Sequence, residues 1–159
     1  GLISRGQILA RMIGTLAGRA AEEVIFGSTE VTTGASSDIV QVTGMARQMV
    51  TRYGMSKVGP MAFEAQQQSP MSPGTLPPEV AAKIDQEVQD IVTYCHNEAR
   101  QLINDNRAAV DRLSDLLIEN ETISGTEFRK VLSEYTTIPE KTDYVSYFDR
   151  KEETTKVMA

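Results

Sequence analysis

Val80, Ile84, Val88, Ile91, Cys95, Ala99 and Leu102 recur at intervals of four, four, three, four, four and three. Seven apolar positions at that spacing form one stripe of an α-helix, which turns about 100° per residue, and fit no face of a strand. The spacing predicts a helix from about Pro78 to Ile103. A helix that long with a single apolar face needs other helices to cover it. The composition agrees: only 6% of the residues are aromatic and none is Trp, whereas a sandwich or barrel draws on more aromatic and β-branched side chains.

Other segments repeat the pattern. In "SRGQILARMIGTLAGRAAEEVIFG", Ile8 or Leu9, Met12, Ile13, Leu16, Ala20 and Val24 share a side, giving a helix from about Ser4 to Phe26 stopped by Gly27. Gly14, Ala17, Gly18 and Ala21 form a neighbouring strip of small residues, at a cost of up to about 1 kcal/mol for each Gly. Such a strip suits close approach of another backbone. "GSTEVTTGASSD" is loop chemistry, with a short extended piece at about Glu30 to Thr33 and Ser36 or Ser37 as the next N-cap. A second helix runs from about Ser37 to Tyr53 and ends at Gly54, which suits a left-handed position.

Residues 56–78, rich in Pro, Gln and Ser, read as an exposed loop. "NDNR" ends the long helix, and Val110, Leu113, Leu116 and Leu117 mark a shorter one ending near Asn120. The last helix opens on a capping box of Ser124 and Glu127, with Ile123 placed to staple onto Phe128. Its inner face is Phe128, Val131, Leu132 and Tyr135. The expected fold is all-α with about five helices in residues 1–138, followed by a charged tail at 139–159.

A chain of 159 residues is one domain's worth. A net charge of −6 with no Lys/Arg cluster argues against a nucleic-acid partner. The single cysteine, Cys95, excludes an internal disulfide and falls in the apolar stripe, where packing explains it. No run of about 18 apolar residues is present, and no G-x-x-x-x-G-K-[ST] loop that would cradle a nucleotide.

Asp38 is the residue that fits its helix least well. It falls within about 40° of Val42, Met45 and Met49, on the apolar side of the second helix. A carboxylate in a first turn interacts favourably with the helix dipole, by about 0.3–1 kcal/mol. A carboxylate on a buried face is also costly unless paired or coordinated, so a metal ligand or acid–base group is the sharper reading. The single histidine, His96, lies mid-helix with no second His within a turn and reads as a surface or interface residue. Glu22 and Glu23 point about 100° apart, so they are no paired-carboxylate site, and charge pairing with Arg19 is the expectation. A buried structural role for these acids is the alternative. Thr32, Thr33 and Gly34 set the backbone that leads to Asp38.

"GRAAEEVIFG", then "VTTGASSDIVQVTGMARQMV", then "YGMS" with "GP", and late in the chain "LLIENETISGTEFRKVLSEY" together resemble the C-terminal peptidase domain of the FtsH family. These are membrane-anchored, ATP-dependent zinc metalloproteases. The resemblance covers about residues 1–140, and "GLISRGQ" and "ENETISGTEF" are most similar to cyanobacterial and chloroplast members.

The resemblance implies a zinc held by two histidines of an H-E-x-x-H helix, with its Glu as general base, and by an aspartate whose match here is Asp38. This chain has one histidine and no H-E-x-x-H, so it is expected to lack the N-terminal part of the peptidase domain, to hold no catalytic residue of its own and to be inactive alone. The intact protein is expected to use Zn, with ATP and Mg bound, and the membrane anchor supplied, by segments outside this chain. The implied assembly is a homo- or hetero-hexamer acting on unfolded or damaged membrane proteins, with this segment on the stromal or cytoplasmic side of a chloroplast thylakoid or cyanobacterial membrane. A competing reading is a non-proteolytic paralogue serving as a structural subunit or scaffold in a heteromeric ring.

Overall fold

A computed structural model describes residues 2–63 and 76–138. The middle of the expected 56–78 loop and the expected tail at 139–159 therefore lie outside the described residues. Five α-helices account for most of what is described, and no strand occurs among the described residues.

Helix α1 spans Arg5–Phe26. Ser4 starts it with a capping box: its Oγ accepts the Gln7 N–H at 3.2 Å while Gln7 Oε1 accepts the Ser4 N–H at 2.8 Å. Gly27, at φ +93°, ends it and donates its N–H to the Glu23 carbonyl at 3.1 Å. Two short 3₁₀ turns, Ser28–Glu30 and Thr33–Ala35, lead into α2, Ser36–Thr51. The extended piece expected at Glu30 to Thr33 is shorter than that: Val31 and Thr32 are extended, at φ −65°, ψ 129° and φ −92°, ψ 170°, and a tight turn stands on either side of them. Neither Ser36 nor Ser37 caps α2; Ala35 holds the N-cap position and offers no side-chain acceptor, because helical turning already begins at Thr33.

The third helix, α3, is the long one, Pro78–Asp105. It packs along α1 and also against α2, and α1 touches α2 as well, so three helices enclose one core. Leu9, Met12, Ile13, Leu16 and Ala20 of α1 meet Val42, Ala46, Met49 and Val50 of α2 and Ile84, Val88, Ile91, Cys95 and Ala99 of α3, all buried. Burial of such side chains is worth about 1.5–3 kcal/mol each for the large ones, and it fixes how the three helices lie together.

The small strip on α1 does not do what its composition suggests. A Cβ built at Gly14 or Gly18 meets nothing within 4 Å, so no backbone among the described residues approaches there. The helix is central because of its apolar stripe instead.

The segment after α2 is also more ordered against the core than an exposed loop would be. Gly54 turns at φ +60°, and a Cβ there would stand 2.8 Å from Pro60 Cα, a contact no side chain tolerates. Ser56 and Phe63 are buried, and the buried Glu87 of α3 accepts the Lys57 N–H at 3.2 Å. The chain around 55–63 is thereby pinned to α3.

Asn106 separates α3 from α4, Arg107–Asn120, and a turn through Glu121 at φ +61° leads to α5, Gly125–Tyr135. Helices α4 and α5 pack on each other and make little contact with the three-helix core. Ser124 and Glu127 form the expected capping box, with the Glu127 N–H on Ser124 Oγ at 3.2 Å and the Ser124 N–H on Glu127 Oε2 at 2.9 Å. The inner face assigned to α5 is not buried: Phe128 and Tyr135 are exposed, and Val131 and Leu132 are half-buried. The physical reason is that, among the described residues, α5 packs chiefly on α4, which cannot cover a full helix face.

Candidate functional site

The last turn of α1 carries two consecutive carboxylates, and they do different work. Glu22 reaches across to the loop before α2, where its Oε2 accepts the Thr32 N–H at 3.0 Å. Thr32 Oγ1 donates to the same carboxylate, at 3.2 and 3.3 Å from its two oxygens. The hydroxyl oxygen in turn accepts the Gly34 N–H at 3.2 Å, capping the 3₁₀ turn that runs into α2. Charged acceptors make hydrogen bonds roughly twice as strong as neutral ones, so this clamp fixes the entry to α2 more firmly than a serine cap would.

Asp38 is the third residue of α2, in the first turn, where backbone N–H groups lack helical partners and the dipole favours negative charge. Its side chain is half-buried. Val42, Ala46, Met49 and Val50 follow it on the buried side of the helix. No hydrogen bond or ion pair among the described residues engages the Asp38 carboxylate. It is a carboxylate held in place by its backbone and left open at its oxygens.

Glu23 faces α3 instead, with only 11% of its side chain exposed. Its Oε1 pairs with Arg19 Nε at 3.2 Å, and its Oε2 lies 3.0 Å from His96 Nε2 and 3.5 Å from Arg100 Nε. Pairing with Arg19 was the expected role; the link to α3 was not legible. Of the two places expected for His96, surface or interface, the structure gives the interface: it is part of the α1–α3 contact. Its Nε2 is closed to solvent and meets no aligned hydrogen bond among the described residues, so the 3.0 Å approach acts through charge when the ring is protonated. Cys95 next to it is fully buried, and burial first, with Glu98 second, pushes its thiol up to about 12. A thiol so held is packing material rather than a nucleophile.

Among the described residues no three His, Cys, Asp or Glu side chains converge to hold a metal. Asp38 is an open carboxylate oxygen donor of the kind that can fill one ligand position, and the described residues supply no set of partners to close such a site. The signal that sequence reasoning could have used for Glu22 and Glu23 is their placement: two acids and no base in the last turn of a helix, at the negative end of its dipole. Residues set against a local rule mark places where tertiary partners decide.

Fold and site together define an all-helical chain that presents the open carboxylate of Asp38 at the head of α2. The Peptidase family M41 description matches residues 1–131, and the chain belongs to that family. It is 50% identical over 156 residues to the ATP-dependent zinc metalloprotease FtsH of Trieres chinensis, covering 93% of this chain and 24% of that protein. It is 46% identical over 144 residues to the chloroplastic ATP-dependent zinc metalloprotease FTSH 8 of Arabidopsis thaliana, covering 87% of this chain and 21% of the relative. A further FtsH metalloprotease, from Heterosigma akashiwo, is 41% identical over 157 residues. The chain spans about a quarter or less of the length of these relatives, at 24% and 21% for the first two. No helix among the described residues is long and apolar enough to cross a membrane.

Proposed function

We propose that this chain is the C-terminal part of the peptidase domain of an ATP-dependent zinc metalloprotease, and that Asp38 is its contribution to the zinc site. The single observation that carries the reading is the open, half-buried Asp38 carboxylate at the end of the clamped T-T-G-A-S-S-D segment. The other two protein ligands and the general base belong to an H-E-x-x-H helix outside this chain. Zinc, when bound, supplies a Lewis acid that polarises the scissile carbonyl and lowers the pKa of water. The work of this chain's residues is to keep an oxygen donor ionised and fixed in place, with Glu22 and Thr32 setting the backbone and the first turn of α2 favouring the charge.

The 159-residue chain alone binds no stoichiometric zinc and cleaves no peptide, because one aspartate cannot close a tetrahedral site. The intact protein takes its ATP and Mg, and its membrane anchor, from segments outside this chain. It assembles as a hexamer, homomeric or heteromeric, and degrades unfolded or damaged membrane proteins. The chloroplastic relatives support a photosynthetic membrane as its location, with this segment on the stromal or cytoplasmic side.

Asp38→Asn in the full-length enzyme tests the reading. The amide keeps the shape and loses the charge, so zinc retention and peptidase activity fall while ATP hydrolysis persists. Unchanged zinc content and proteolysis would remove Asp38 from the site.

A further inference from the structure

We infer that His96 and Arg100 are positioning residues for Asp38, acting through Glu23 and Glu22 of α1; the inference rests on Asp38 being a zinc ligand. It starts from an oddity in α1. Its last turn holds Glu22 and Glu23 and no basic residue, so two negative charges sit at the helix end that disfavours them. Part of the compensating charge comes from Arg19, one turn earlier on α1, whose Nε stands 3.2 Å from Glu23 Oε1, and the rest from other helices. His96 and Arg100, one turn apart on α3, both approach Glu23 Oε2, at 3.0 and 3.5 Å, and Arg107 of α4 places Nη1 3.4 Å from the Val24 carbonyl.

Glu23 is therefore fixed twice. Its nearly buried carboxylate is held to α3, and its carbonyl closes the helix onto the Gly27 N–H. Fixing Glu23 fixes the rotation and height of the turn it belongs to, and so the direction of Glu22, about 100° round the helix. Glu22 then holds Thr32 by its N–H and its hydroxyl. The 3₁₀ turn Thr33–Ala35 runs directly into α2 at Ser36, with Ala35 at φ −88°, ψ 14° as the joint between them. Asp38 consequently moves with Thr32 as one stiff unit. A carboxylate required to meet a metal must be held within about 0.5 Å, and supporting residues of this kind commonly tune metal affinity.

The test uses the full-length protease and three variants, His96→Ala, Glu23→Gln and His96→Arg, with Asp38→Asn as reference. Two quantities are read in each: zinc retained against a competing chelator, and hydrogen exchange by mass spectrometry over peptides covering 28–37 and 84–95. His96→Ala and Glu23→Gln are expected to weaken zinc retention about ten-fold. They also speed exchange over 28–37 while leaving 84–95, in the core, as in the wild type. His96→Arg, which places a permanent cation facing Glu23, restores both. A merely structural role would raise exchange in both peptides together and leave the zinc affinity of the folded protein unchanged, and that result overturns the inference. Wild-type zinc retention in His96→Ala and Glu23→Gln, with Asp38→Asn defective, removes the brace and spares the ligand. Normal zinc retention in Asp38→Asn removes the ligand reading and this inference with it.

Discussion

Helices α3 and α4 carry apolar residues at similar spacing, yet α3 buries Ile84, Val88, Ile91, Cys95 and Ala99 while α4 buries Ala109 alone. The same contrast holds between α1 and α5: five buried residues on the first, none on the second. On the hairpin of α4 and α5, Leu117, Ile118, Phe128 and Tyr135 remain exposed, Ile118 at 80%. Helical periodicity states that a stripe exists and where it points. Whether the stripe is covered depends on how many neighbours the topology supplies, and α5 has one where α1 has two. The chain thus divides into a core that holds its own shape and an arm whose helices stand on local signals.

The largest expected effect tests the core side of that division. Leu16 is fully buried among all three long helices, and Leu16→Ala should cost about 3–4 kcal/mol in chemical unfolding. A cost below about 1 kcal/mol would mean that the core is loosely packed and the contrast with the hairpin is overstated.

Much of both regions was legible in the sequence because it is local. Helix ends at Phe26 and Asn120, the start at Pro78, and the Ser124 capping box follow from residues within a turn or two of one another. The Ser4–Gln7 capping box was equally local, an S-x-x-Q signature, and went unread. What sequence could not supply was partnership at a distance. The Glu22–Thr32 clamp spans 10 residues and closes only because two 3₁₀ turns fold the loop back. The Glu23–His96 contact joins α1 to α3, and no periodicity in either helix announces it. Asp38 was legible as an anomaly, a charge on the apolar side, and its use came from resemblance. The strip of Gly14 and Gly18 shows the opposite error: small residues permit a close approach and do not bring one about.

On the arm, local signals should carry proportionally more. Ser124→Ala removes the cap of α5 and should cost that helix about 1 kcal/mol, seen as fraying of 125–128 in backbone chemical shifts while the core unfolds at an unchanged midpoint. Hydrogen bonds from the Ser124 N–H and then its hydroxyl hold the Glu127 carboxyl below its ordinary value. A depressed folded value means the cap contributes above the unfolded carboxylate's pKa, about 4.3, and is lost as pH falls through the lower folded one. The same shifts followed during acidification should therefore show α5 fraying before α1 and α3. A core midpoint that moved with Ser124→Ala would show that the two regions unfold as one.

A smaller effect of opposite sign belongs to α1. Gly18 faces open space, so Gly18→Ala gains helix propensity with no clash and should stabilise the chain by about 0.8 kcal/mol in denaturant unfolding. Destabilisation instead would mean that a backbone does come close there in solution, and that α1 is covered on two sides.

The smallest expected effect is the sharpest test of the arm. Ile118, at 80% exposed, has almost nothing to lose within this chain, and Ile118→Ser should shift its unfolding free energy by less than about 0.5 kcal/mol. The comparison with Leu16 is direct, since both are large aliphatic residues on amphipathic helices and differ chiefly in whether neighbours enclose them. A loss of more than about 1 kcal/mol would show that the exposed face is covered in solution. Repeating the measurement at several protein concentrations then identifies the cover: a midpoint that rises with concentration in the wild type and not in Ile118→Ser assigns it to a second copy of the chain. A loss independent of concentration would place the cover within the same chain and would erase the distinction between a self-sufficient core and an arm standing on local signals.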